Sequence, residues 1–213
     1  MRRRWAPCVP GAALVLCALL VGKISFAAPG PREVIDETAN QVLVVLRDKS
    51  LEKQQKIHRI EDIAYARFDF DTISRLVLAR NWNSLSDSQQ REFVKEFKEH
   101  LSVTYGRNVD SYSNEKVVIV SDREEARGDW TVKTKIIRST GDDFQVDYRL
   151  RQKDADWKII DVVIEGVSLI ANFRSQFQDI ISSGGIDHLI TLLREKNAAG
   201  ETIVENPKLK PKD

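Results

Sequence analysis

Asp161 and Glu165 are the carboxylates of this chain best placed for chemistry, because they stand four residues apart inside the apolar run from Ile159 to Leu169. Apolar surroundings disfavour the charged form of a carboxyl group, so one of such a pair could act as a general acid and the other as a base, with Tyr148 as a further proton-transfer group. The commoner use of acids on a strand of this kind is architectural, accepting backbone hydrogen bonds or facing a sheet edge. Ser168, in Gly166-Val167-Ser168, lacks the second glycine of a nucleophile elbow and stands at a helix start, where N-capping accounts for it. His58, His100 and His188 are far apart and none lies in a metal-ligand spacing. No glycine-rich phosphate loop is present. Catalysis therefore has thin support, and the elements that carry these residues become the more informative subject.

The chain has 213 residues. Its first 27 residues combine Arg2, Arg3 and Arg4 with an apolar run from Ala12 to Val21 and then Ser25-Phe26-Ala27, the pattern of a secretory signal peptide cleaved after Ala27. That run is too short to span a membrane. Cleavage removes Cys8 and Cys17, the chain's two cysteines, so an exported mature protein relies on its core and has no thiol chemistry. It also removes Lys23 and the three arginines, which turns 33 basic against 32 acidic residues into an acidic excess. A nucleic-acid binder normally carries the opposite balance.

Helical spacing dominates the amino-terminal half. Pro29 and Pro31 precede a helix with Val34, Ile35, Val42, Val45 and Leu46 on one face, and further helices are predicted over 51–68 and from Phe70 to Trp82. Ser86-Asp87-Ser88-Gln89 is a capping-box pattern opening a helix in which Phe93, Phe97, Leu101 and Tyr105 recur every four residues. After residue 112 the period becomes two, with strands predicted over 117–120, 130–137, 144–152 and 157–164. The turn-like Ser139 to Asp142 and Asp154 to Asp156 make these an antiparallel meander. Ser168 then starts a helix that Gly184-Gly185 ends, and Ile186, Leu189, Ile190, Leu192 and Leu193 mark another. Residues 198–213 are polar, with Pro207 and Pro211, and read as a solvated flexible tail. The expectation is one α+β domain over 28–197, a curved antiparallel sheet of about four strands covered by helices.

The apolar faces converge. Phe144, Val146, Tyr148 and Leu150 alternate with polar residues in the third strand, while Leu169, Ile170 and Phe173 share a face of the following helix and Leu101 and Tyr105 a face of an earlier one. Such stripes are ordinarily core. A helix-covered curved sheet can also leave an internal apolar pocket between its layers, and these nine residues are the ones expected to line it.

Two blocks of sequence resemble the MlaC family of periplasmic phospholipid-binding proteins, also called the toluene-tolerance family or auxiliary components of ABC transporters. The first runs from Leu76-Val77-Leu78 through Trp82, Ser86-x-x-Gln89 and Phe93 to Tyr105-Gly106. The second comprises Trp157-Lys158, Asp161, Glu165-Gly166-Val167-Ser168-Leu169, Arg174 and Gly185-Ile186-Asp187 with Leu189. Ala79 departs from the pattern, which usually has glycine there; the expectation is a helical backbone that accepts alanine.

The resemblance implies an NTF2-like fold and a non-enzymatic, monomeric periplasmic carrier with phospholipid as cargo and no cofactor. It further implies an outer-membrane partner, an MlaA-like lipoprotein with a porin, and an inner-membrane ABC transporter complex with an MlaD-like component, the system maintaining outer-membrane lipid asymmetry. The runner-up is an enzyme using an NTF2-like pocket on a small apolar substrate, with Asp161, Glu165 or Tyr148 as acid or base. A binding protein for a small polar solute generally needs two lobes and a hinge, which one domain does not supply.

Overall fold

The computed structural model describes residues 28–106, 109, 114–139 and 141–203. The expected signal segment and the end of the expected tail lie outside these residues. Five α-helices and five strands follow in the order α1 (Pro31–Arg47), α2 (Lys53–Arg67), α3 (Phe70–Leu78), α4 (Asp87–Gly106), β1 (Lys116–Glu124), β2 (Trp130–Ile137), β3 (Phe144–Lys153), β4 (Asp156–Ile164), β5 (Val167–Ser168) and α5 (Leu169–Ala198). The α+β class and the antiparallel meander are as expected, with β5 a two-residue addition at the edge.

The sheet runs β1-β2-β3-β4-β5 in sequence order, every pair antiparallel. Register shifts between Ile119 and Ser121 and between Arg149 and Leu150 mark bulges, which bend a strand and increase its twist. Alternation turns Val117 and Ile119, Val132 and Ile136, Val146 and Leu150, and Ile159, Val162 and Ile164 to one face, where α1 contributes Val34 and Ile35. Arg32 of α1 pairs with Asp122 of β1 at 3.0 Å, and Trp130 Nε1 donates to the other oxygen of that carboxylate at 3.0 Å. The β4 edge is covered on one side by β5, through a Glu165-Gly166 turn with φ of 48° and 79°. Phe68 bridges Ile159 in parallel nearby, and the Asp69 N–H reaches the Ile159 carbonyl at 3.0 Å.

Beside this layer, α3, α4 and α5 enclose a helical core. Phe93, Phe97, Phe173 and Phe177 are fully buried, with ring centroids 5.0 to 6.0 Å apart and mostly edge-on contacts that suit the ring quadrupoles. The capping box at α4 is formed: the Ser86 N–H donates to Gln89 Oε1 at 2.9 Å, and the Gln89 N–H to Ser86 Oγ at 3.3 Å. In α5, Gly185 adopts φ 80° and ψ 178°, a conformation essentially confined to glycine, and the chain resumes as a helix that returns Leu189, Ile190 and Leu193 to the same core.

A local expectation is overturned at the third helix. The third helix ends at Leu78 rather than continuing to Trp82, and Ala79 takes φ 50° and ψ −122° at the start of a 3₁₀ stretch, Ala79–Ser84. That backbone disfavours any residue with a Cβ, which explains why glycine suits the position.

Candidate functional site

The apolar interior is divided. One cluster belongs to the sheet and α1, the other to α3, α4 and α5, and Phe68 and Leu169 are side chains that pack against both. A domain of this size ordinarily builds one contiguous core. The two cores adjoin through these shared side chains, and the Asp69 N–H bond to the Ile159 carbonyl ties the start of α3 to β4 beside them.

Eight of the nine residues expected to face a pocket belong to or pack against one or both of these clusters. Val146 and Leu150 are buried in the sheet cluster, with Phe144 and Tyr148 half-buried against it. Ile170 and Phe173 are buried in the helical cluster, with Leu101 half-buried against it, and Leu169 belongs to both. Tyr105, one turn beyond Leu101 on α4, is half-buried outside either cluster. Composition and spacing did not single out Phe68, Trp130 or Trp157. Phe68 precedes the α3 N-cap, and its bridging role follows only from the pairing with β4; the two tryptophans meet at 6.1 Å across strands that are not neighbours in the sheet.

The polar residues of the two sequence blocks tie neighbouring elements together. Asp161 is buried and accepts the Ser168 hydroxyl at 2.7 Å and the Ile170 N–H at 3.2 Å, so both its oxygens serve the start of α5. Ser168 itself caps that helix by accepting the Ala171 N–H at 3.1 Å. Glu165 lies in the turn, not on the strand, and accepts the Gln145 N–H. Arg174 of α5 donates twice to the Leu76 carbonyl of α3, at 2.9 and 2.6 Å, and Gln89 Nε2 donates to Asp187 at 2.7 Å. Both carboxylates considered for acid-base work are thus committed to architecture.

The histidines separate by environment. His58 and His188 are exposed, while His100 is fully buried beside Phe173. Ile203 N–H donates to His100 Nε2 at 3.1 Å, which makes Nδ1 the protonated nitrogen facing Asn197 Oδ1 at 3.0 Å; Asn197 Nδ2 continues to the Glu96 carbonyl and carboxylate. Among the described residues no group of three or more histidine, cysteine or acidic side chains is arranged to hold a metal ion, and no helix is long and apolar enough to cross a membrane.

At the α2–α3 corner, Phe68 also lines an open cavity of about 410 Å³ with Tyr65, Phe70, Val94 and Lys98. Lys98 Nζ lies 3.2 Å from the centre of the Tyr65 ring and 5.5 Å from that of Phe70. Burial, then the negative charges of Glu61, Glu99 and Asp62, push the Tyr65 phenol up to about 12, so the ring stays neutral beneath the ammonium. Asp69, at the same cavity, is held below the usual carboxylate range. Burial opposes ionisation, but the Thr72 side chain, the Thr72 backbone N–H and Lys153 outweigh it by hydrogen bonding.

The MlaC protein family model matches residues 36–195. The intermembrane phospholipid transport system binding protein MlaC of Haemophilus influenzae is 26% identical over 202 residues, covering 90% of this chain and 92% of that protein. The toluene tolerance protein ttg2D of Pseudomonas putida is 23% identical over 169 residues, covering 77% and 79%. The phospholipid-binding protein of Ralstonia solanacearum, solved in complex with a phospholipid, superposes with a TM-score of 0.73 at 25% identity, covering 81% of this chain and 99% of that one. With a family match over most of its length, the same fold as a solved relative, and the motif residues joined as ties between neighbouring elements, this chain belongs to the MlaC family.

Proposed function

We propose that this protein is a periplasmic phospholipid carrier without catalytic activity, moving lipid between outer-membrane and inner-membrane complexes. The observation that carries the reading is the divided interior, with Phe68 and Leu169 between its parts. Acyl chains entering between these clusters would exchange one apolar contact for another. The nine residues from Leu101 to Phe173 named above would line their path. The similarity to proteins named for phospholipid transport and binding supports the same reading.

The magnitude of the hydrophobic effect explains what such a carrier must do. Two acyl chains with about thirty methylenes, at roughly 0.8 kcal/mol each, would cost on the order of 20 kcal/mol if released into water. The tails must therefore be covered throughout, and unloading requires a docked partner. We assign those partners to an MlaA-like lipoprotein with its porin and an ABC transporter with an MlaD-like component, residues 1–27 being removed on export.

Extraction of protein expressed with its own amino terminus, followed by lipid mass spectrometry, tests this. About one phospholipid per protein is the expected result. Protein that folds and carries none contradicts it.

A further inference from the structure

Beyond α5 the chain turns back onto the helical core. Gly200, with φ 65°, makes the reversal, and two bonds close the helix end: the Gly200 N–H donates to the Asn197 carbonyl at 3.0 Å and the Glu201 N–H to the Lys196 carbonyl at 2.8 Å. The side chains of Lys196 and Glu201 form an ion pair across the same turn. Residues 199–203 thereby bring Ile203 against the helical cluster, where it is half-buried.

His100 of α4 receives this segment, and its neighbours fix where its proton sits. Asn197 Nδ2 donates to the Glu96 carbonyl at 2.9 Å and to the Glu96 carboxylate at 3.1 Å, which leaves Asn197 Oδ1 to accept from His100 Nδ1 at 3.0 Å. Nε2 then carries the lone pair that accepts the Ile203 N–H at 3.1 Å. Phe173 of α5 meets the fully buried ring edge-on, with centroids 6.3 Å apart. The charges on the surrounding elements are engaged with one another. Glu96 of α4 reaches the ring through Asn197 and is paired with Lys95 at 3.1 Å, while Lys196 of α5 holds Glu201 of the segment.

A second proton on this imidazole must go to Nε2, where it points at an N–H. The acceptor becomes a donor, two hydrogens face each other, and the bond to Ile203 is lost. We propose that His100 is a pH-sensitive clasp on the carboxy-terminal segment: neutral, it holds residues 199–203 on the helical core, and protonated, it lets them go. An unperturbed histidine titrates at about 6.5, so the clasp works in mild acid, above the range in which carboxylates protonate. Release uncovers the part of the helical cluster that Ile203 covers.

Amide hydrogen exchange of the whole protein, read by NMR between about pH 7.5 and about pH 5, tests this. The protection factor at Ile203 is expected to fall by about tenfold, which the loss of one hydrogen bond supplies, while Phe97 and Phe177 in the core keep theirs. His100→Gln offers an acceptor near the place of Nε2 that takes up no proton, so protection at Ile203 becomes independent of pH. Imidazole nitrogen shifts in the unaltered protein give a second reading that needs no variant: a bare Nε2 at the upper pH and a protonated one at the lower. Unchanged protection at Ile203, a loss shared equally by Phe97, the same pH dependence in His100→Gln, or an Nε2 that is protonated throughout or never protonated overturns the clasp.

Discussion

Asp161 and Ser168 form a hydrogen-bonded pair across the β4–β5 turn, hydroxyl to carboxylate at 2.7 Å, and together they supply both side-chain caps of α5. A buried charge-assisted bond of this kind is worth about 1.5–3 kcal/mol, and loss of a cap about 1. Asp161→Ala is expected to lower stability by about 3 kcal/mol in urea denaturation. A chain that loses its bound lipid but not its stability would contradict the architectural role.

Ala79 offers a change in the opposite direction. Its φ of 50° stores strain of about 1–3 kcal/mol that glycine does not share, against an entropic cost to glycine of about 0.5–1. Ala79→Gly should therefore stabilise the protein by about 1 kcal/mol, seen as a higher urea midpoint at an unchanged slope. A lower midpoint would refute the strain.

Asp69 makes stability sensitive to acid. Its folded-state proton affinity is depressed, so its contribution is fully present above the unfolded-state value near 4 and is lost as pH falls through the lower folded value. Asp69→Asn should lower stability at neutral pH and flatten the decline below about pH 4. Parallel acid limbs in the two proteins would show that Asp69 does not set this dependence.

Val146 and Tyr148 test the lipid path itself. Val146→Glu places a carboxylate among the proposed acyl chains, where an unpaired charge costs several kcal/mol unless it is neutralised or reaches water. It is expected to fold with near-native circular dichroism and to lose its phospholipid; unfolding of this variant beside a tolerated Val146→Ala would mark ordinary core. Photo-crosslinkers at Tyr148 and Leu150 should capture lipid, and those at Gln145 and Arg149, on the opposite face of β3, should not.

The order of elements, the four long strands and the nature of the β3 faces were legible in the sequence because each depends on local period and capping. Phe144 to Arg151 alternate by strand geometry alone, and Ser86 and Gln89 signal the start of α4 within four residues. Both blocks that carry the family resemblance were readable as residue motifs along the chain. Only the tertiary structure decided what those residues do. Asp161 reads equally well as an acid or a cap until Ser168 and the Ile170 N–H are brought to its two oxygens, and Arg174 has no visible role until the Leu76 carbonyl lies beside it. Ala79 looked helical because its neighbours are apolar at helical spacing, a pattern that reports which face is buried but not the sign of φ at a helix end. The division of the core, and the corner cavity that Phe68 and Lys98 both line, arise from contacts between distant segments, which hydrophobic period cannot encode because it says that a face is covered and not by what.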